Sequence, residues 1–437
     1  MTVGRWLVPD SWEWVRSETI AEIVGGGTPR ADDESNFSAD GIPWITPADL
    51  TGYRSAYIGR GRRDLSDKGI KGSGATLLPA GTVLFSSRAP VGYCAIAANA
   101  ISTNQGFKSL VLNGDISPEF VRYYLLSAKE YAESLASGTT FLELSAKRMC
   151  ELEIPLPPLT EQRRIVRKLD TLDARSATAR THLAAIEKLV ERYKLAVLRG
   201  AYFVDASGTL NEEEARGFGW DIRPLGQSLE NLDNRRIPIK AEDRQKRRGP
   251  YDYYGASGVI DKIDEYLFDG RYLLIGEDGA NLVARSSPIA FIAEGQFWVN
   301  NHAHVLGETP YACLDWVRLY FAAIKLESFV TGSAQPKLTQ SNLNKIPVPL
   351  PAPDEQRKIV RRIETAFAKI DRLAAEAAKA LKLLGRLDQR ILAKAFAGEL
   401  VPQNPDDEPA ETLLARIRAE RLAQPKPRPG RRAKHRV

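Results

Sequence analysis

His302-Ala-His304 could hold a transition metal, because paired imidazoles are good ligands. With no second histidine pair and no close cysteine beside them, polar surface or DNA contact is the better expectation. Glu277-Asp278 could be half of a nuclease carboxylate cluster, although acids at a glycine-rich turn are commonly loop residues. Gly25-Gly-Gly27 lacks the next glycine and the strand–turn–helix setting of a dinucleotide fold. No Gly-x4-Gly-Lys-Ser/Thr phosphate loop occurs. Cys94, Cys150 and Cys313, odd in number and widely spaced, point to a reducing cytoplasm rather than to disulfides or a zinc finger. No catalytic residue, metal site or cofactor is expected.

Local charge says more. Asn234 to Arg248 holds seven Lys/Arg against two acids, followed by Tyr251, Tyr253 and Tyr254. Arg54 to Lys71 holds six against two, interleaved with Tyr53 and Tyr57. Basic clusters with aromatics suit phosphate contacts and base-edge packing. The candidate DNA contacts are therefore Arg60, Arg62, Arg63 and Lys71 in one cluster, and Arg235, Arg236, Lys246, Arg247, Arg248 and Tyr254 in the other. Asn104, Gln105, Asn301 and His302, in loosely matching polar turns, are candidate base readers, and Arg88 and Lys337 complete the set. Global charge is weaker testimony. Of the net +6, residues 401–437 carry +4, nine Lys/Arg against five acids.

The 437 residues suggest two to four domains, and 43 % hydrophobic with 27 % charged residues fits a globular chain with a sizeable core. Apolar runs such as Pro288–Ala293 fall far short of the ~20 residues of a membrane span. The first residues lack the apolar core of a signal peptide, so a cytoplasmic protein is expected.

What positions the candidate residues is a duplication. Glu161-Gln-Arg-Arg-Ile-Val-Arg167 returns 194 residues later as Glu355-Gln-Arg-Lys-Ile-Val-Arg361, identical at six of seven positions. The offset holds upstream, Ile154-Pro-Leu-Pro157 against Val348-Pro-Leu-Pro351, and downstream to Ala201-Tyr202 against Ala395-Phe396. Farther upstream, Trp12 and Trp220 open the two halves, and Gly81-Thr-Val-Leu-Phe loosely resembles Gly270-Arg-Tyr-Leu-Leu.

Each repeated segment predicts a long helix. Ile165, Leu169, Leu172, Leu183, Ile186 and Val190 fall on one seam, and Ile359, Ile363, Ile370, Leu373, Leu384 and Leu387 on the other. Alternating spacings of four and three are a coiled-coil pattern, and these twelve residues are the expected pairing surface. Thr160 and Asp354 are the expected N-caps. About 42 residues at ~1.5 Å each make a rod of roughly 60 Å. The short link 204–217 then favours antiparallel pairing, since ~15 residues could barely span such a rod. The regions before the helices mix short β-rich runs with Gly, Pro, Asn and Asp. The expected fold is α+β: two mixed α/β domains (1–153 and 218–347) separated by an antiparallel pair of long coiled-coil helices (154–203 and 348–400). A basic, flexible tail (401–437) follows, and the halves are related by a pseudo-twofold.

Two variable domains, each followed by a Pro-Leu-Pro lead-in and Glu-Gln-Arg at the start of a long helix, resemble the specificity subunit of type I restriction–modification enzymes. Ala395-Phe-Ala-Gly-Glu-Leu400-Val-Pro, Trp12-Glu-Trp and Tyr254-Gly-Ala-Ser-Gly-Val-Ile260 carry the same resemblance, which spans residues 5–403. The resemblance implies a non-catalytic reader of double-stranded DNA whose two domains recognise halves of a bipartite, asymmetric target. The helices would serve as a ruler and as a dock for methyltransferase (modification) subunits, two in number. Restriction subunits, which use ATP to translocate and cleave, would join through the complex. S-adenosylmethionine and ATP would belong to those partners. No membrane partner is implied. A coiled-coil adaptor without specific DNA binding is the alternative, and a nuclease using Glu277-Asp278 a third reading.

Overall fold

The computed structural model describes residues 7–88, 90–138, 142–332 and 335–423. The chain forms two compact units, Met1–Arg180 with Leu381–Val437, and Thr181–Ala380. Each unit therefore holds one variable domain, the beginning of one long helix and the end of the other.

The first unit is built on a five-stranded sheet in the spatial order Ala21–Gly25, Lys108–Leu112, Val83–Ser87, Val91–Ala97, Tyr57–Ile58. Its central strand is buried along its whole length, which is why Val83-Leu-Phe is a continuous apolar run. A second sheet orders Phe37–Ser38, Arg63–Leu65, Ile42–Ile45 and Ser102–Thr103. The second unit has a six-stranded sheet: Glu230–Asn231, Ala303–Gly307, Phe268–Gly276, Ala290–Val299, Tyr251–Gly255, Gly258–Ile263. Leaving out the last strand, a hairpin addition at the edge, both main sheets run 1-5-3-4-2 in chain order. In both, strands two and four pair parallel. The two domains are one fold.

Each domain closes on a two-stranded ladder, Glu13–Arg16 with Glu153–Leu156, and Asp221–Pro224 with Pro347–Leu350. The prolines that follow end the ladders and start the long helices Leu159–Tyr202 and Pro353–Phe396, 44 residues each. Thr160 and Asp354, the expected caps, instead lie inside the first turns. Thr160 donates to Asp407 at 2.6 Å, and Asp354 pairs with Arg357 at 2.6 Å.

The repeated glutamine does the joining. Gln162, fully buried, donates to the Pro157 carbonyl (2.9 Å) and accepts from the Ser117 amide (3.0 Å). Gln356, equally buried, donates to the carbonyls of Pro351 (2.9 Å) and Tyr311 (2.7 Å) and accepts from the Cys313 amide (3.0 Å). Ser117 and Cys313 are the N-caps of the domain helices Pro118–Ser127 and Leu314–Ala323. One side chain thus ties each long helix to its lead-in turn and to its domain.

Within each unit the long helices run antiparallel. In the first, Leu169 shares a core with Ala395 and Phe396, while Ser176 and Arg180 bind Asp388 farther along. In the second, Tyr202 shares a core with Ile363, and Lys194 pairs with Asp371. Ile165, Leu169, Ile363 and Ile370 are buried, while Leu172, Leu183, Ile186, Val190, Ile359 and Leu384 are half-buried. Leu373 and Leu387, expected in the seam, are 66 % and 52 % exposed. A straight helix drifts ~20° per heptad, so only one column holds its heptad spacing. The other moves one residue on, to Phe367, Ala374, Leu381 and Asp388, all half-buried.

The tail is also corrected. Helix Ala410–Ala423 buries Leu413, Leu414 and Ile417 in the first unit's core, because these residues fall on one helical face. Asp407 grips Arg164, and Gln403 donates to Glu161. Residues 424–437, with the basic run Arg431–Arg436, lie outside the described residues. Among the described residues no helix is long and apolar enough to cross a membrane.

Removing one clamp tests its structural weight. Gln356→Ala leaves the Cys313 amide and two carbonyls without their buried partner, at about 1–3 kcal/mol for each unsatisfied group. The expected result is a clearly lower denaturation midpoint for the second unit, read by urea titration with hydrogen exchange resolving the units. An unchanged midpoint would deny the clamp its role.

Candidate nucleic-acid interface

Three loops meet in the second domain. Glu277-Asp278 follows the central strand, Asn300–His302 leads into Ala303–Gly307, and Lys337 bridges to Asp278. Glu277 accepts from Arg236 (2.8 Å) and pairs with Lys337 (3.2 Å), while His302 meets Asp278 at 2.7 Å. The Asn300 side chain, itself buried, accepts from the His302 amide at 2.8 Å and shapes this turn. Asn301 is exposed, and the His302 and Lys337 side chains are each 49 % exposed. Arg236 is placed otherwise. It is 13 % exposed, and its guanidinium is committed to Glu277 and the Ala303 carbonyl.

Below these loops His304 is fully buried, its ring nitrogens facing Asp233 (2.6 Å) and the Leu338 carbonyl (2.8 Å). Burial opposes ionisation of Asp233, but His304, the Val305 amide and Arg236 together hold its carboxyl below the usual range. The two imidazoles therefore serve different carboxylates. Among the described residues no group of three His, Cys, Asp or Glu is arranged for a metal.

The remaining candidates of this domain lie apart from that cluster or are packed. Arg235 donates to the Leu267 carbonyl (3.0 Å) and covers the Phe268 ring. Arg247 pairs with Asp264 and Glu265 and lies over Trp298, whereas Lys246 and Arg248 are exposed. Tyr254 is half-buried against Phe291 and Phe297, and Tyr253 is buried with its hydroxyl accepting from the Ile239 amide.

The first domain repeats the three loops with other charges. Arg88 follows the central strand, bridging to Glu143 through the backbone and pairing with it at 3.5 Å. Lys108 also reaches Glu143 (3.7 Å), and burial pulls its ammonium below the usual lysine range. Where one domain sets acids against Lys337, the other sets Arg88 and Lys108 against Glu143. Asn104 accepts from the Gly106 amide (2.9 Å), and exposed Gln105 accepts from the Thr28 hydroxyl. A Cβ at Gly26 would sit 2.0 Å from the Asn104 carbonyl oxygen, so this glycine is needed for close packing under the turn. Elsewhere, Arg60 pairs with Asp64 (3.2 Å), Arg62 approaches Asp49 (3.8 Å), and Arg63 covers Phe37 at 3.5 Å. The three line a concavity of about 530 Å³, and Lys71 is exposed at a helix end.

Asp233, Lys108 and Glu143 were not legible as site residues. The only trace was a polar residue inside an apolar strand, as in Ala303-His-Val-Leu.

Comparison with known proteins bears on this arrangement. The chain is 28 % identical over 419 residues to the type I restriction enzyme MjaIX specificity subunit of Methanocaldococcus jannaschii, covering 90 % of this chain and 94 % of that one. It is 25 % identical to the EcoKI specificity subunit of Escherichia coli, covering 97 % and 98 %. The crystal structure of the HsdS subunit from Thermoanaerobacter tengcongensis superposes with a TM-score of 0.62 at 20 % identity, covering 92 % of this chain and all of that one. A chain from a structure of type I R-M complex assembly gives 0.66 at 20 % identity, covering 90 % and 99 %. The type I restriction modification DNA specificity domain matches residues 9–188 and again 219–382. Matched twice over most of its length, the chain belongs to the type I restriction–modification DNA specificity family.

Proposed function

We propose that this non-catalytic specificity subunit reads a bipartite, asymmetric duplex in the cytoplasm, one half-site per domain, with the paired helices setting the interval. The observation that carries this reading is the repeated strand order with changed charge at equivalent loops. A shared scaffold with unlike loop residues is what two readers of unlike sequences require. Asn301, His302 and Lys337, with Arg88, Asn104 and Gln105 in the other domain, are the proposed base-facing residues. Lys71, Lys246 and Arg248 are the proposed phosphate contacts, with Arg60, Arg62 and Arg63 at a second basic edge. A coiled-coil adaptor that binds no DNA would have no use for this pairing of likeness and difference.

Modification subunits are the proposed partners of the helices, with restriction subunits joining through the complex. In the second unit Leu189, Tyr193 and Leu373 are more than half exposed, and they line a groove of about 1120 Å³ with Ile186, Val190 and Ile370. Leu383 and Leu387 are likewise exposed in the first unit, at positions that match Leu189 and Tyr193 by the 194-residue offset. Exposed apolar side chains on each unit support a dock on each, and thus two modification subunits.

Exchanging residues 1–153 for the matching domain of a relative, in the assembled methyltransferase, should change one half of the methylated sequence and keep the other. Sequencing of methylated adenines reads this out, and a change in both halves would refute one domain per half-site. Replacing both Tyr193 and Leu373 by Glu should lower affinity for the modification subunit by about thirtyfold or more, as the loss of ~2 kcal/mol or more of hot-spot contact in total would. Folding should be spared, since both side chains are exposed. Unchanged affinity in a titration of the two proteins would place the dock elsewhere.

A further inference from the structure

His304 has acceptors on both sides. Asp233 Oδ2 lies 2.6 Å from Nδ1, and the Leu338 carbonyl lies 2.8 Å from Nε2. A neutral imidazole owns a single N–H and can satisfy only one of them, leaving a lone pair against an oxygen. Both contacts are hydrogen bonds only when the ring carries two protons. The charged groups around it come from every neighbouring segment. Asp233 and Arg236 lie on the turn after Glu230–Asn231, Glu277 (3.9 Å) and Asp278 after the central strand, His302 in the preceding turn, and Lys337 beside Leu338. His304 thereby holds together the three segments that carry Arg235, the Asn301-His302 turn and Lys337.

We propose that His304 is a positioning residue for DNA reading by the second domain, a doubly protonated clamp whose loss of one proton loosens that half of the recognition surface. The proposal rests on the DNA-reading function given above. The first domain is a built-in control. The four histidines are His182, His302, His304 and His435, so residues 1–153 contain no imidazole. Raising the pH removes the second proton of His304, leaves one acceptor without its donor, and so weakens the clamp. Discrimination in the second half-site should fall with rising pH while that in the first stays level. Asp233→Asn should abolish the dependence. An asparagine amide can donate to Nδ1 and its oxygen still accept the Val305 amide, so a neutral ring tautomer keeps both imidazole contacts, with only the Asn231 amide losing its acceptor at Oδ2. His302 and Asp278 are untouched by this change, so any pH effect of theirs would survive it.

The test uses the full chain assembled with its modification subunits, selecting from a pool of randomised duplexes at about pH 6 and about pH 8.5. The expected result is about a tenfold loss of base preference, confined to the half-site assigned to residues 218–347, with a flat profile for Asp233→Asn. Nitrogen-15 spectra of the histidine rings should show one buried imidazole protonated on both nitrogens near neutral pH. A single neutral tautomer in that spectrum, equal pH responses of both half-sites, or an undiminished response in Asp233→Asn would each overturn the proposal. A wild-type complex that enriched no sequence at either pH would instead sink the DNA-reading function and, with it, this role for His304.

Discussion

The buried glutamine at the head of each long helix is the contact on which the rest depends. Gln162 and Gln356 each close the proline turn on one side and grip the first amide of a domain helix on the other. A buried amide with both ends satisfied is a stiff joint, because breaking it strands polar groups away from water. Any function that requires a domain to move with its helix passes through this joint. The neighbouring glutamates show what is not required. Glu161 is buried, its carboxyl pushed up by desolvation against the pull of Trp12 and Gln403, whereas Glu355 is exposed.

The domains show how one scaffold can hold two specificities. The strand order, the closing ladder and the glutamine joint are common to both, and these are backbone and core properties. The loop after the central strand and the segment facing it exchange their signs, Arg88 with Glu143 in one domain, Glu277 and Asp278 with Lys337 in the other, and Lys108 of the adjacent strand also reaches Glu143. Such pairs keep the loops tethered whichever way the charges run. The tether is common, and the exposed residues beside it are free to differ.

The repeat of Glu-Gln-Arg made the duplication and the long helices legible, because identity at a constant offset needs no knowledge of contacts. The role of the glutamine was hidden, since its partners Ser117 and Tyr311 lie more than forty residues away in sequence. Ile363 and Ile370 could be read as seam residues from their spacing, but a strict heptad reading put Leu373 and Leu387 inside. Helical drift, which spacing alone does not reveal, put them out. The candidate site was harder still. Charge counting gathered Arg236 with Arg247 and Arg248, yet Arg236 is spent on Glu277 while Arg248 is exposed. Side-chain partners across a sheet decide which of a basic run can meet DNA.

If stiff joints and a paired rod set the interval between half-sites, lengthening the rod must lengthen the interval. Seven residues inserted after Arg180 and seven after Leu384 would preserve both stripes and add ~10 Å to the pair. At ~3.4 Å per base pair that is about three base pairs. Mapping of methylated adenines made by the assembled variant should return both half-sequences unchanged with a spacer longer by about that amount. An active complex that kept the original spacer would contradict the account.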